Sequence, residues 1–368
     1  MPVEFLGMGA TNDGSETTPR SGGSFDPDFT VRLARAHQDH GWDRVLTAYG
    51  SGSPDPAQAA ALIATHTDSL QILVAHRPNL SIPTFAAKTL ATLDHISDGR
   101  VTVHMITGGS DHEQQREGDF LSKDERYGRT REYIQILKQA WTRHEPFDYT
   151  GEHYRFADFV SDVFPVQEPR PQISFGGSSD AAYAVGTAEA DVFCLWGEPL
   201  ADTKEQIERV RREATAAGRT EPLKIQVAFR PILAATEAAA WAKADDVVRR
   251  IEARRAQSKE PGGQQFRRGP GAPENTGSQR LLAIADRGDR HDTILYSGTA
   301  KATGGAGNSN ALVGTPEQVA EALLAYVDLG VTILSARGYD MLQDAVDFGD
   351  QVIPLVRAEV ARREAVAA

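Results

Sequence analysis

The chain has 368 residues, and its 51 acidic side chains outnumber 39 basic ones to give a formal net charge of −12. No basic run stands out from this background, which argues against a nucleic acid or an anionic membrane as partner. Cys194 is the single cysteine, so an intrachain disulfide and a cysteine metal cluster are excluded. With no apolar stretch near the roughly 20 residues of a membrane span and no signal-peptide layout, we expect a soluble cytoplasmic protein.

Short β-branched segments alternate with amphipathic helices along most of the chain. Strands are predicted at residues 3–8, 44–48, 70–75, 100–107, 172–175, 191–195, 223–229 and 331–335. Helices are predicted at residues 28–40, 56–65, 83–96, 126–143, 180–188, 200–217, 237–255 and 316–329. Most of these strands are apolar on both faces, as parallel strands covered by helices are. The pattern predicts an α/β fold, a (β/α)8 TIM barrel forming a single domain over residues 1–368.

Two segments interrupt the alternation. Residues 147–164 read as an inserted hairpin before strand five, and residues 257–314 form a long connection, rich in Gly, Pro and Arg near its start, before strand eight. Connections of that length are usually lids or disordered, and this one begins and ends near the catalytic face of a barrel. It is therefore predicted to be a mobile active-site lid. An open doubly wound sheet is the alternative fold, but the first turn lacks the glycine fingerprint of a dinucleotide site.

The stretch SFGGSSDAA, residues 174–182, carries two glycines and two serines between a predicted strand and a predicted helix. One interpretation is a strand-to-helix turn with a good N-cap. The other is a phosphate cradle, in which Gly176 and Gly177 allow close backbone approach while hydroxyls and helix N–H groups donate to the anion. The turn alone leaves both interpretations open.

Several segments in order along the chain resemble one family. They are HGWDRVL at 40–46, ATLDHISDGRV at 91–101, ITGG at 106–109, DERYGRTREYIQILKQAW at 124–141, FGGSSDAA at 175–182, LWGEP at 195–199 and TGGAGNSNALVGTPEQVA at 303–320. Each is weak alone, but their joint order resembles the bacterial luciferase-like flavin monooxygenases, most closely the alkanesulfonate monooxygenase branch. The resemblance covers residue 5 to about residue 355.

The resemblance implies an FMNH2-dependent two-component monooxygenase. Reduced FMN would be a dissociable co-substrate delivered by a separate NAD(P)H:FMN reductase, and O2 would react through a C4a-peroxyflavin. The substrate would be a small organosulfur compound, such as a sulfonate that undergoes C–S cleavage. The resemblance also implies a homodimer or homotetramer.

Site residues follow from the same resemblance. Those implied to hold the FMN phosphate are Tyr127, Gly177, Ser178 and Ser179. Those implied to flank the isoalloxazine are Ala75, His104 and Thr107. Trp196, at the end of strand six, is implied to lie in the active-site pocket, although simple core packing is the alternative.

The substrate pocket departs from the sulfonate pattern. Thr11 stands where the family has a histidine, and Ser53 stands where it has a cysteine. Ala228 and Thr303 stand where the family has arginines, and Arg230 and Met341 stand where it has histidines. Tyr339 survives, and Arg230 is a new arginine at the end of strand seven. We expect Arg230 to project into the barrel mouth and bind an anionic group, with Arg267, Arg268 or Arg337 closing from above. The alternative is that Arg230 is a solvated residue at the end of its strand.

Three alternatives remain at the level of sequence. One is an F420-dependent oxidoreductase on the same barrel. Another is a monooxygenase acting on a substrate without sulfur. The third is a flavin-binding protein without catalytic activity, because so many polar pocket residues of the family pattern are missing.

Overall fold

A computed structural model describes residues 3–257, 273–307 and 309–367 of the chain. Its strands are β1 Glu4–Met8, β2 Arg44–Thr47, β3 Gln71–His76, β4 Val101–Met105, β5 Phe147–Thr150, β6 Arg155–Phe159, β7 Ile173–Gly176, β8 Val192–Trp196, β9 Lys224–Leu233, β10 Arg290–His291, β11 Leu295–Tyr296, β12 Ala311–Gly314 and β13 Ile333–Ala336. All eight predicted barrel strands are present, with ends shifted by a few residues.

The barrel closes through parallel pairing in the order β1-β2-β3-β4-β7-β8-β9-β13, with β13 returning to β1. Leu6 of β1 pairs with Ser335 of β13 on one side and with Arg44 of β2 on the other, so the ring of strands is closed. The predicted TIM barrel is therefore confirmed. Its interior is filled by apolar side chains from strands around the ring, including Leu6, Leu73, Val192 and Ile333.

The helices of the described residues pack around the barrel and in the connections at its mouth. They are α1 Pro27–Asp39, α2 Pro56–Ala64, α3 Pro83–Ser97, α4 Asp111–Gln115, α5 Lys123–Thr142, α6 Asp180–Glu189, α7 Leu200–Ala216, α8 Glu237–Gln257, α9 Thr276–Asp286, α10 Gly298–Thr303, α11 Pro316–Asp328, α12 Met341–Gln351 and α13 Ile353–Ala367. Several begin at side-chain caps, and α1, α2, α3 and α11 carry proline in the first turn. The helices α4, α12 and α13 were not predicted.

The two interruptions of the alternation are both present. Strands β5 and β6 form the predicted antiparallel hairpin before the fifth barrel strand. The described part of the second segment contains α9, a β10–β11 hairpin, α10 and β12, none of which was predicted. Residues 258–272, with Arg267 and Arg268, lie outside the described residues. The lid role of this segment stays a prediction.

Strand β9 is longer than its neighbours and belongs to two pairings. Its first part pairs with β8 and β13 inside the barrel, ending at Phe229. From Arg230 to Leu233 it continues beyond the barrel and pairs in parallel with β12. Arg230 is therefore the residue at which β9 leaves the ring.

Among the residues that the structure describes, no helix has both the length and the apolar composition needed to cross a membrane.

Candidate active site

A cavity of about 550 Å³ opens at the carboxyl ends of the barrel strands. This volume suits a small-molecule site, and the location is the one at which TIM barrels bind substrates. The predicted site residues that line it are Ala75, His104, Thr107, Tyr127, Gly177, Ser178, Ser179 and Trp196. Arg230 and Tyr339 do not line it.

The turn between β7 and α6 forms one wall of the cavity. Gly177 has φ 153°, and a Cβ there would stand 2.6 Å from the Cβ of Ala182. Only glycine fits this backbone without displacing the helix. The Ser179 hydroxyl accepts a hydrogen bond of 3.3 Å from the Ala182 N–H and so caps α6. Both interpretations of the turn are thus compatible, since it caps a helix and also exposes donors to the cavity.

The first turn of α5 faces the same part of the cavity. Ser122 caps this helix, and Lys123 and Tyr127 lie four residues apart, on one helical face that lines the cavity. The Tyr127 hydroxyl lies 3.4 Å from the position of a Cβ on Gly177, so the two turns meet. Lys123 was missed by sequence analysis, although its spacing from Tyr127 could have indicated it.

The strands β3 and β4 supply the adjoining wall. Ala75 lies beside His104 in the register of these strands. The His104 Nδ1 atom is 2.8 Å from the Ser174 hydroxyl, and burial lowers the pKa of His104 to about 4. A neutral imidazole therefore lines the cavity at neutral pH. Thr107 completes this wall, and its hydroxyl oxygen lies 3.3 Å from the hydroxyl oxygen of Thr130.

Trp196, at the end of β8, is wedged between the barrel and the second inserted segment. A Cβ on Gly277 or on Gly307 would stand 2.6 Å from its ring, so both glycines permit close contact with the indole. Two residues further on, Glu198 receives two hydrogen bonds from Arg280 of α9. The inserted segment is thereby held against the indole, and Trp196 lines the cavity. Its role in the reaction stays a prediction.

A group of one arginine and two glutamates lies directly after β3. Arg77 is buried, and it donates hydrogen bonds of 2.9 and 3.0 Å to Glu113 and one of 2.7 Å to Glu117. Its guanidinium also lies over the ring of Tyr49, 4.9 Å from the centroid. Sequence analysis did not identify this group. Two carboxylates compensate the charge of Arg77.

Arg230 lies behind the cavity wall rather than in the barrel mouth. It is almost fully buried, and it donates two hydrogen bonds of 2.9 Å to Glu16 and one of 2.9 Å to the Gly338 carbonyl. Its guanidinium lies 4.0 Å from the centroid of the Tyr339 ring. The expected position was wrong because β9 continues beyond the barrel and carries Arg230 with it. The predicted catalytic roles of Arg230 and Tyr339 stay predictions.

Comparison with known proteins gives the class. A family model described as luciferase-like monooxygenase matches residues 6–332. The chain therefore belongs to the luciferase-like monooxygenase family, as the resemblance had indicated.

Solved structures of the same fold include proteins with different chemistry. Riboflavin lyase (RcaE), solved with modified FMN and riboflavin, is 20% identical, with TM-score 0.78 and coverage of 98% of this chain and 92% of its own. EDTA monooxygenase (EmoA) from Chelativorans sp. BNC1 is 18% identical, with TM-score 0.76 and coverage of 98% and 94%. An F420-dependent secondary alcohol dehydrogenase is 14% identical, with TM-score 0.68 and coverage of 97% and 99%. At these identities the likeness shows the fold alone.

Proposed function

We propose that the protein is an FMNH2-dependent two-component monooxygenase that oxidises a small organosulfur compound with O2. The main support for the proposal is that the β7–α6 turn and the first turn of α5 lie in contact at one end of the cavity. Membership of the luciferase-like monooxygenases supports flavin use. A separate NAD(P)H:FMN reductase and a homo-oligomeric assembly are part of the same proposal.

The residues at this end of the cavity fit a flavin phosphate. Lys123 offers a positive charge, while Tyr127, Ser178 and Ser179 offer hydroxyl groups to the same region. Gly177 keeps the turn clear of a side chain that would collide with α6. A terminal phosphate dianion suits this set of donors and the positive ends of two helices.

The other walls fit an aromatic ring system. Ala75 has a small side chain, so a planar group can approach β3 closely, and His104 is neutral beside it. Trp196 and the segment around Gly277 and Gly307 cover the side nearest β8 and limit access of water. When bound, reduced FMN supplies the two electrons for reduction of O2. For a sulfonate, RCH2SO3⁻ with FMNH2 and O2 gives an aldehyde, sulfite, FMN, water and a proton.

The decisive experiment is turnover with a defined reductant. FMNH2 is generated by an added NAD(P)H:FMN reductase, and sulfite release and oxygenated product are measured over a panel of sulfonates, sulfones and sulfinates. We expect product with FMNH2 and none with reduced F420. If product formed only with reduced F420, the protein would instead be an F420-dependent oxidoreductase. If only sulfur-free compounds were oxygenated, the protein would still be a monooxygenase, but its substrate would not be an organosulfur compound.

A second measurement tests the phosphate assignment separately from turnover. Changing both Ser178 and Ser179 to alanine removes two hydroxyl donors, each worth about 1.5–3 kcal/mol toward a charged acceptor. The affinity for FMNH2 under anaerobic conditions should fall by at least about tenfold. Unchanged binding would contradict the assignment. Ser178→Ala alone separates this effect from the helix cap, because Ser179 is the capping residue.

A further inference from the structure

A charged cluster lies at the rim of the barrel between β1, β9 and β13. Its carboxylate is Glu16, which is buried and accepts hydrogen bonds from both Arg230 and Arg337. The negative charge of the nearby Asp344 is already compensated. Asp344 accepts hydrogen bonds from the backbone N–H groups of Tyr339 and Asp340 and lies 3.2 Å from the Lys243 ammonium. Two guanidinium groups therefore share one carboxylate, and an excess positive charge remains.

The two arginines differ in what they face. Arg337 lines the cavity and its side chain is 16% exposed, whereas that of Arg230 is 2% exposed. Among the described residues, Glu16 is the sole hydrogen-bond partner of the Arg337 side chain. The Nε atom of Arg337 has no hydrogen-bond partner there. Burial, followed by the charge of Arg230, lowers the pKa of Arg337 despite Glu16. The cavity-facing guanidinium thus has donors to spare and a charge that an anion would stabilise.

The cluster is separated from the proposed phosphate site. Arg337 follows β13, and the phosphate turn follows β7, three strands away along a ring of eight. The other charged groups in the lining are accounted for, because Arg77 is paired with two carboxylates and Lys123 lies beside the phosphate turn. An anion at Arg337 would therefore be a second anionic group, different from the flavin phosphate.

We propose that Arg337 recognises an anionic sulfonate or carboxylate group on the substrate, and that Glu16 is a positioning residue that holds its guanidinium at the cavity wall. This inference rests on the proposed function and gives it a substrate class. It also replaces Arg230 as the residue in contact with the anion. Arg230 shares Glu16 with Arg337 and does not itself line the cavity.

The test compares anions with neutral compounds of similar shape. Propane-1-sulfonate is titrated against methyl propyl sulfone, and butanoate against butanamide, by calorimetry with and without anaerobic FMNH2. The wild-type protein should bind at least one anion at least about tenfold more tightly than its neutral counterpart. Arg337→Met should abolish that preference and leave FMNH2 affinity unchanged. Arg337→Lys should retain part of it, because the charge stays while the two-donor fork is lost.

Arg362→Met is the matched control, since it removes an exposed arginine paired with Glu359 on α13. Arg337→Met should unfold as cooperatively as wild type, because Glu16 and Arg230 remain as a neutral pair. The inference fails if wild type shows no preference for either anion, or if Arg337→Met keeps it. If the protein then oxygenated neutral substrates with FMNH2, the proposed monooxygenase function would still hold, and only the anion site at Arg337 would be wrong.

Discussion

Arg280 donates two hydrogen bonds to the carboxylate of Glu198, over 2.9 and 2.6 Å, and so joins α9 to the end of β8. The Glu198 side chain is 2% exposed, so its charge depends on this partner. Trp196 lies two residues before Glu198 and lines the cavity. The inserted segment is therefore held to the barrel directly beside the candidate active site.

Replacing Arg280 by methionine should loosen α9. The buried Glu198 carboxylate would lose its two charged donors, and the segment would open more often to relieve the unpaired group. Amide hydrogen exchange in Thr276–Asp286 should become at least about tenfold faster, while the barrel strands stay protected.

Arg287→Met is the control for this change. Arg287 follows the same helix and pairs with Asp202, but its side chain is half-exposed. Screening by water makes such a pair weak, so exchange should stay near the wild-type rate. Equal exchange in both variants would show that the Glu198 pair does not hold the segment.

Local patterns were enough to predict the barrel. The eight strands and most helices have clear apolar periodicity, and the βα turn around Gly177 has recognisable chemistry. The strand β12 was missed because it pairs with the extension of β9, about 80 residues earlier in the chain. Glu16 was missed for the same kind of reason, since its partners Arg230 and Arg337 are distant in sequence and its own loop has no periodic pattern.

Gly177→Ala should weaken flavin binding. Its φ of 153° is unfavourable for alanine, and the new Cβ would press on Ala182 in the first turn of α6. The displaced helix would turn its N–H groups away from the phosphate, so the dissociation constant for FMNH2 should rise by at least about tenfold. Anaerobic fluorescence titration measures it.

Gly288→Ala separates the effect of backbone strain from that of the cradle. Gly288 has φ 142°, and a Cβ there would have no neighbour within 4 Å. It should lower stability somewhat and leave FMNH2 affinity unchanged. If both variants bound FMNH2 like the wild type, Gly177 would have no part in the phosphate site.

Cys194 should be unreactive in the folded protein although it lines the cavity. Cys194 is half-buried, and its partial removal from water raises the pKa of its thiol to about 12, whereas the thiolate is the nucleophilic form. Iodoacetamide at pH 8 should therefore label Cys194 only after denaturation, as followed by intact mass. Rapid labelling of the native protein, at a rate near that of a free thiol, would contradict this environment.

Glu16→Gln should lower stability in a pH-dependent way. Burial alone would raise the pKa of Glu16, but the guanidinium groups of Arg230 and Arg337 outweigh it and hold the pKa well below its usual range. A carboxylate of this kind stabilises the fold above its unfolded pKa of about 4.3, and the stabilisation is lost as the pH falls toward the folded value. Breaking a buried ion pair costs about 3–5 kcal/mol, so urea unfolding should show that the variant loses free energy of unfolding of that order at pH 7, and that its difference from wild type becomes smaller below about pH 4.

Glu359→Gln is the control, because Glu359 also pairs with two arginines but on the solvent-exposed face of α13. A loss in Glu16→Gln that is the same at every pH would rule out the charge of Glu16 as its cause.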